Sequence, residues 1–366
     1  VSGQIIGKYI NSPMSGWVVK YDQSNFAHAW TGGTSGGQGA FSNSHSVPSS
    51  NVWNHFAFVR AGASMTVYIN GISYSNVLAG DGTAIQPNTS NITFGMGGAP
   101  GAITLQDLRV YNRALTPSEV QALAGYHMVQ TATGLRLHVQ ADTFSNLSDG
   151  NSISTGWTNS VIQTPVAGNG TVAGNPRYVS GSSSLLGGMS AIEFDGTAGK
   201  YFDFGFPTYT YSGLTVCTAA TRKGNSYRGL VEKRGAVATT NSWGMLIDQP
   251  TTALKFEMDS TTSAEVVNAI ADDTPAVYCV VSGAGNVLSS FVNGQAGPSV
   301  AKTIISGSNS DRLTVGARFD LASSYYGQIA EVFAMVKDAS PVERRMAECY
   351  LSAKYTIPLM GGAVCP

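Results

Sequence analysis

Charge is scarce in this chain. Lysine and arginine together number 21, aspartate and glutamate 22, and the formal net charge is −1. A chain this close to neutrality has no electrostatic footprint for nucleic acid or for an anionic membrane surface. Long apolar runs are missing too, so no segment has the length of a membrane-spanning helix and no membrane insertion is expected. No basic n-region followed by an apolar h-region opens the chain, so no signal peptide is visible; a chain starting at Val1 decides little on that point. Only four cysteines occur, Cys217, Cys279, Cys349 and Cys365. None has C-x-x-C spacing, which counts against a zinc ribbon or a redox pair. Histidines number five, and none forms a nucleophile set. The glycine-rich stretch Gly32 to Gly39 lacks the Lys-Ser/Thr of a phosphate-binding loop, and no helix is expected after it.

Glycine is what the chain has in excess, 43 of 366 residues. With plentiful Ser, Thr and Asn this suits an all-β, loop-rich protein. The length allows two sizeable cores. In the first half, short strands are expected at Ile5 to Tyr9, Trp17 to Tyr21 and Phe26 to Thr31, and Gly32 to Gly39 reads as a flexible loop. Trp53 to Val59 and Met65 to Ile69 read as a hairpin, followed by Asn70-Gly71, a pair that favours a type I′ turn. Ile92 to Gly95 is a further strand. Ile103 to Leu123 then reads as a strand through Asp107 and Tyr111, followed by a helix. Thr116 is its N-cap, Pro117 its first residue and Glu119 closes a capping box.

The second half repeats this grammar. Strands are expected from Leu135 to Val139, at Ala191 to Asp195, through Cys217, at Gly229 to Lys233, at Trp243 to Asp248 and at Leu254 to Met258. A hairpin again ends in Asn-Gly, at Asn293-Gly294. The closing unit returns with Ser340 as cap, Pro341 after it and Glu343 closing the box. Lys8 matches Lys233, Trp17 matches Trp243, Gly95 matches Gly316, Asp107 matches Glu331 and Thr116 matches Ser340. Landmarks in the same order at similar spacing mean two domains of one fold. The boundaries are 1–126 for the first, 127–134 for the linker and 135–366 for the second. Cys365 in the tail can fold back to pair with Cys349. Cys217 and Cys279 lie in expected strands, where simple buried thiols are the more usual outcome and a disulfide is the alternative.

Several stretches resemble the laminin-G-like branch of the concanavalin A-like lectin/glucanase superfamily. They are Trp53-x-His55-x-Ala57, Val67 to Gly71, Ile92 to Gly95 and the run Asp107 to Thr116. The second half is similar to the same family in a form common in bacterial and phage proteins, through Ile192 to Gly196 and the ending Glu343-Arg344 … Tyr350 to Tyr355. The resemblance implies two tandem jelly-roll β-sandwiches, each closed by a short capped helix. It speaks for fold more than function, because that sandwich hosts lectins, hydrolases, adhesins and plain structural modules. It also implies a structural Ca²⁺ contributed to by Asp107, with loop carbonyls completing six to eight oxygens. Glu331 stands at the matching place in the second half, which puts a second such site in doubt. The glucanases of the superfamily carry an E-x-D-x-x-E strand. Here Glu257 and Asp259 are the nearest approach, and Thr262 occupies the place of the last glutamate, so the pair reads as a solvated strand face and no catalytic residue is assigned.

Glycan binding would use exposed aromatics with polar neighbours. Trp30 is favoured, because it ends a strand beside the glycine-rich stretch; His28, Tyr74 and Tyr326 are the other ligand-binding candidates. The expected function is non-catalytic recognition or adhesion on a cell, extracellular or virion surface, with a glycan or cell-surface ligand and assembly into a homo-oligomer or larger particle. The alternatives are a structural protein of a lattice, filament or capsid/tail decoration, and a glycan-cleaving enzyme. A last expectation concerns the first domain. Val1 aligns near Ser226, so the first half has no counterpart for the strand from Leu135, the Phe-Asp-Gly strand or the strand through Cys217. The missing strands are expected from residues upstream of Val1 or from a neighbouring chain.

Overall fold

The computed structural model describes residues 3–11, 14–21, 27–33, 36–41, 54–62, 64–74, 76–77, 85–94, 108–117, 119–121, 123–125, 134–161, 167–224, 228–235, 242–248, 253–258, 262–266, 270–283, 287–301, 307–360 and 365. The chain divides into two units, Val1–Gly125 and Tyr126–Pro366.

In the first unit a six-stranded sheet runs in the order Asn76–Val77, Gly36–Phe41, Ala27–Gly33, Met14–Tyr21, Gly3–Asn11, Thr93–Phe94. A three-stranded sheet holds Phe56–Ala61, Ser64–Ile69 and Ile72–Tyr74. Met65, Val67 and Ile69 form a small core, and Val19 of the larger sheet packs on it with Phe56 and Phe58. Strand alternation sends these residues to one face. The turn at Asn70-Gly71 has positive φ at both residues, 52° and 83°, as its sequence requires. Asn70 also accepts the His55 N–H through its side chain at 2.9 Å.

The second unit is a larger sandwich. Its seven-stranded sheet has the order Thr171–Ala173, Tyr201–Asp203, Leu313–Val315, Arg228–Lys233, Trp243–Ile247, Leu254–Met258, Thr262–Val266. The facing nine-stranded sheet has Arg177–Val179, Ala191–Asp195, Tyr326–Met335, Leu214–Ala220, Ala276–Gly283, Val287–Val292 and Gln295–Ala296. Leu135–Gln140 is also paired to Tyr326–Met335, and Val300–Ala301 to Val287–Val292. Between the sheets lies the main core, with Trp157, Phe144, Phe202, Phe194 and Tyr325 in mutual ring contact. Each such ring removed from water is worth roughly 1.5–3 kcal/mol. A second apolar layer joins the outer face of the nine-stranded sheet to the helix Pro341–Tyr355, through Leu351, Tyr355, Ala330 and Phe333.

The two units share landmarks at the level of single pairs. Lys8 lies opposite Trp17, and Lys233 opposite Trp243. Asn293-Gly294 repeats the turn with φ of 49° and 80°, and its side chain accepts the Val277 N–H at 2.8 Å. The capping box of Ser340 and Glu343 is formed in both directions. In the first unit the Thr116 hydroxyl accepts from the Glu119 N–H at 3.2 Å and the Glu119 carboxylate from the Thr116 N–H at 2.8 Å. The Arg113 guanidinium grips that carboxylate with both terminal nitrogens, at 2.9 and 2.7 Å. Arg113 and the Thr116 N–H together bring the Glu119 carboxyl down to about 2.

Three expectations are corrected. The stretch Gly32 to Gly39 is not a loop: Ala27–Gly33 and Gly36–Phe41 are paired strands with Gly32 opposite Gly37. Neighbouring strands on either side supply the order that glycine by itself withholds. The strand expected through Tyr111 is absent at 108–111, which carries no strand pairing; Ile103 to Asp107 lie outside the described residues. Finally, Cys217 and Cys279 are not free thiols. They sit directly opposite on adjacent strands and form a disulfide. Cys349 on the helix is bonded to Cys365 of the tail.

Candidate functional site

Three of the four ligand-binding candidates belong to the first unit and one to the second. His28 and Trp30 lie on the strand Ala27–Gly33, at alternate positions and so on one face, while Tyr74 ends a strand of the other sheet of that unit. The side chains of His28, Trp30 and Tyr74 lie outside the described residues, as does Asp107. Tyr326 belongs to the second unit. It is half-buried, with the Lys223 ammonium 5.7 Å from its ring centroid. Asp259 also lies outside the described residues.

Glu331 stands where the first unit has Asp107, and both of its oxygens are already engaged. It is fully buried. Its two oxygens accept from Lys354 Nζ at 2.9 Å, Tyr350 OH at 2.9 and 3.0 Å, Tyr355 OH at 2.9 Å and Gln140 Nε2 at 3.1 Å, and His138 Nε2 lies at 2.6 Å. Burial by itself would raise this carboxyl; the Lys354 charge and the hydrogen bond with His138 overcome that and hold it well below the usual carboxylate range. A cation would have to displace an ammonium and two phenols already in place. On the far side of His138, Nδ1 lies 3.1 Å from Ser160 Oγ. The order serine, histidine, glutamate has the look of a nucleophile set. However, the serine hydroxyl also donates to the His138 carbonyl at 3.0 Å, and while His138 and Glu331 are fully buried, Ser160 is half-buried. The cluster ties the opening strand Leu135–Gln140, the strand Tyr326–Met335 and the closing helix together. Among the described residues no group of three or more His, Cys, Asp or Glu could hold a metal ion.

The outer face of the seven-stranded sheet is a better candidate. Cross-strand pairing aligns Asp203, Thr314, Glu232, Gly244, Glu257 and Ser263 in one row. The next row, Phe202, Val315, Val231, Met245 and Phe256, points the other way into the core. Because side chains alternate along each strand, the first row must face outward. Glu257 takes Arg234 Nη1 at 2.9 Å on one oxygen and Lys255 Nζ at 3.0 Å on the other. Asp248 lies 3.9 Å from the same ammonium. These four side chains keep between 10% and 18% exposure. The pair Glu257 and Asp259 was expected on a solvated face; Glu257 is instead nearly enclosed, because two cations fold down onto it.

Glu232 lies deeper. Residues Ala317 and Arg318 run so close over Gly229 that a Cβ there would stand 2.5 Å from their backbone. A side chain at Gly244 would likewise meet Glu232. These two glycines let the 317–321 segment lie on the sheet and seal Glu232 beneath it. The Phe319 N–H donates to Glu232 Oε2 at 2.9 Å, while Oε1 has no hydrogen-bond partner, with Arg318 Nε at 3.6 Å. The Phe319 ring is flanked by the Arg234 and Arg318 guanidiniums, 4.7 and 5.0 Å from its centroid. Burial pushes the Glu232 carboxyl up to about 7 against the pull of Arg318 and the Phe319 N–H.

That shift has a measurable sign. The folded state keeps the Glu232 proton at pH values where the unfolded chain, with the ordinary value of 4.5, has lost it. Stability should therefore fall as pH rises from 4.5 to about 7, and the gap is worth roughly 3 kcal/mol. Glu232→Gln should flatten that slope in urea unfolding followed between pH 4 and 8 (an expected range of ~4 pH units). Superimposable curves for the two proteins would contradict the assignment.

Sequence reading reached Glu257 and missed Glu232, Arg234 and Phe319. The run Val231-Glu232-Lys233-Arg234 shows a carboxylate inside an apolar strand, which is a signal of burial, but nothing in it says which strand lies alongside.

Residues 2–121 match the family model described as the concanavalin A-like lectin/glucanases superfamily, laminin G type. No curated protein matches the chain. Among solved structures, domain 4 of an extracellular arabinanase from Geobacillus stearothermophilus, in complex with arabinotriose, is 13% identical, with a TM-score of 0.43 over 59% of this chain and 98% of that one. The CBM40 of the IT-sialidase of Ruminococcus gnavus, bound to α2,3 sialyllactose, is 15% identical, with a TM-score of 0.33 over 42% of this chain and 93% of that one. A Trypanosoma rangeli sialidase in complex with sialic acid is 10% identical, with a TM-score of 0.41 over 98% of this chain and 54% of that one. The described residues of both units are built mainly of β-sheets, and the concanavalin A-like match covers residues 2–121.

Proposed function

We propose that this chain is a non-catalytic recognition protein of an extracellular, cell or virion surface. Its ligand is a glycan or another cell-surface group, taken at the outer face of the seven-stranded sheet. The observation that carries the reading is the nearly enclosed set of Arg234, Lys255 and Glu257 beside the half-buried Phe319. A carboxylate held between two cations offers both acceptors and donors to hydroxyl groups, and an aromatic ring offers an apolar surface. The closing helix packs on the other sheet, through Ala347 and Leu351. Two disulfides support an oxidising compartment. No helix among the described residues is long and apolar enough to cross a membrane.

The reading is tested by a glycan array with the full chain, run beside a reducing-sugar assay. Binding to a restricted glycan set is expected, with no release of reducing ends. Lys255→Ala should weaken that binding about tenfold or more, about 1.4 kcal/mol. Unchanged binding in the variant would remove the site from this face, and sugar release would refute the non-catalytic part. A structural role in a lattice or filament is the second reading, favoured by the exposed apolar side chains of the first unit.

A further inference from the structure

One lysine of the second unit lies inside the sandwich. Lys233 ends the strand Arg228–Lys233, opposite Trp243 on one side and Leu313 on the other. Both are core residues, so strand alternation sends the lysine inward with them. It is fully buried, and its Nζ stands 5.1 Å from the centroid of the buried Tyr209 ring. Tyr211, in ring contact with Tyr209, accepts the Trp243 indole N–H at 2.9 Å. Lysine is almost never enclosed in this way unless something holds its nitrogen. Burial lowers the Lys233 ammonium to about 8, against the pull of Asp311. The free amine, which is the nucleophilic form, is thus within reach near neutral pH.

What holds it is the carboxamide of Asn309. Asn309 is buried and ends the strand Gly307–Asn309, opposite Tyr209 of the strand Tyr209–Tyr211. Lys233 Nζ stands 2.9 Å from Asn309 Oδ1 and 2.6 Å from the Asp311 main-chain oxygen. The same Oδ1 accepts the Asp311 N–H at 2.8 Å. Asn309 Nδ2 donates to Asp311 Oδ2 at 3.1 Å, and the Ser242 hydroxyl donates to that oxygen at 2.5 Å. An amine therefore faces an amide whose oxygen is already polarised by an N–H and whose nitrogen is already held by a carboxylate. The first unit gives the contrast. Aligned through Gly95 and Gly316, Asn88 falls on Asn309 and Ser90 on Asp311. The Ser90 N–H donates to Asn88 Oδ1 at 3.1 Å, so the turn is the same. But Asn88 Nδ2 goes to the Lys8 main-chain carbonyl at 3.3 Å, and a serine brings no carboxylate to it.

We propose that the folded chain joins Lys233 to Asn309 by an amide bond between Nζ and Cγ, made by its own side chains. The Nζ lone pair attacks Cγ and the new C–N bond forms. Charge gathers on Oδ1, where the Asp311 N–H meets it. The Asp311 carboxylate takes a proton from Nζ and delivers it to Nδ2. The Cγ–Nδ2 bond then breaks and ammonia leaves. One amide replaces another, so the step needs neither an oxidant nor an energy source, and the escape of ammonia carries it forward. Enclosure in the fold supplies the proximity that an amine and an amide lack in water. The bond ties the strand Arg228–Lys233 to a strand end 76 positions later.

The test is mass spectrometry of the full chain with its cysteines reduced and alkylated. The parent is expected to be lighter than its sequence by one ammonia. Its digest should yield a branched peptide in which the Lys233 segment is joined to the Asn309 segment. Asp311→Asn keeps the turn N–H and removes the carboxylate, and it is expected to join about a hundredfold more slowly. Lys233→Arg should not join at all. Asn70-Gly71 and Asn293-Gly294 can also lose ammonia, by closing to succinimides, and that loss would persist in Lys233→Arg. The branched peptide of the parent decides the bond however well either variant folds. A parent with its full sequence mass, or one that loses ammonia without yielding the branched peptide, overturns the proposal. Joining at the parent's rate in Asp311→Asn overturns the role given to that carboxylate.

Discussion

Glu331→Ala is expected to lower the stability of the second unit by about 3–5 kcal/mol, the cost of breaking a buried charge cluster from one side. The reason is the number of groups that depend on one carboxylate. Lys354, Tyr350, Tyr355 and Gln140 all donate to it, and His138 lies against it. Removing it leaves the two buried phenols and His138 without their shared acceptor and the half-buried Lys354 ammonium with Asp142 alone, at 3.0 Å, and unsatisfied buried polar groups are more costly than the bonds they made. The strand Tyr326–Met335 sits between Leu135–Gln140 and Leu214–Ala220, so the damage falls at the centre of the sheet. Urea unfolding measures the loss directly. The pH dependence adds a second check. The folded carboxyl is held below its ordinary range, so its contribution is present above that range and is lost as pH falls toward the folded value. The parent should weaken through the acid limb, and the variant should show a shallower slope there. A variant within about 1 kcal/mol of the parent, with the same acid limb, would show that the cluster is incidental.

Cys217→Ala combined with Cys279→Ala is expected to cost about 4 kcal/mol. The two residues are 62 apart in sequence, and a crosslink across a loop of that length removes substantial freedom from the unfolded chain. Both are fully buried, on the middle strands of the nine-stranded sheet, so the bridge fastens Leu214–Ala220 to the hairpin that begins at Ala276. The bond of Cys349 to Cys365 closes a separation of only 16 residues and should be worth about 3 kcal/mol on the same basis. Denaturant unfolding of the double variant, with thiol counting on the parent under denaturing conditions, decides the matter. Two reactive thiols at Cys217 and Cys279, or unfolding midpoints that coincide, would show that the bridge is absent or idle.

The difference between the closing segments of the two units shows where sequence stops informing. Residues 107–116 and 331–340 carry the same pattern, and the capping boxes of Thr116 and Ser340 both form as read. A cap needs only residues three apart. A strand needs neighbours: Tyr326–Met335 has them on both edges and is a ten-residue strand, whereas 108–111 is not in a strand at all. The glycine-rich stretch makes the converse point. Gly32 and Gly37 have little strand preference of their own, yet they are paired because Ala27–Gly33 and Gly36–Phe41 meet in a hairpin beside Met14–Tyr21.

The sequence by itself therefore determined the all-β class, the Asn-Gly turns at Asn70 and Asn293 and the two helix caps, all of which depend on composition or on residues a few positions apart. Only the tertiary structure decided that Cys217 faces Cys279, that Glu232, Gly244 and Glu257 share one outward row, and that Glu331 gathers donors from a strand almost two hundred residues earlier and a helix that follows it. Each of those is a question of register between distant strands. Register is set by the packing of a whole sheet face, which no local window of sequence contains.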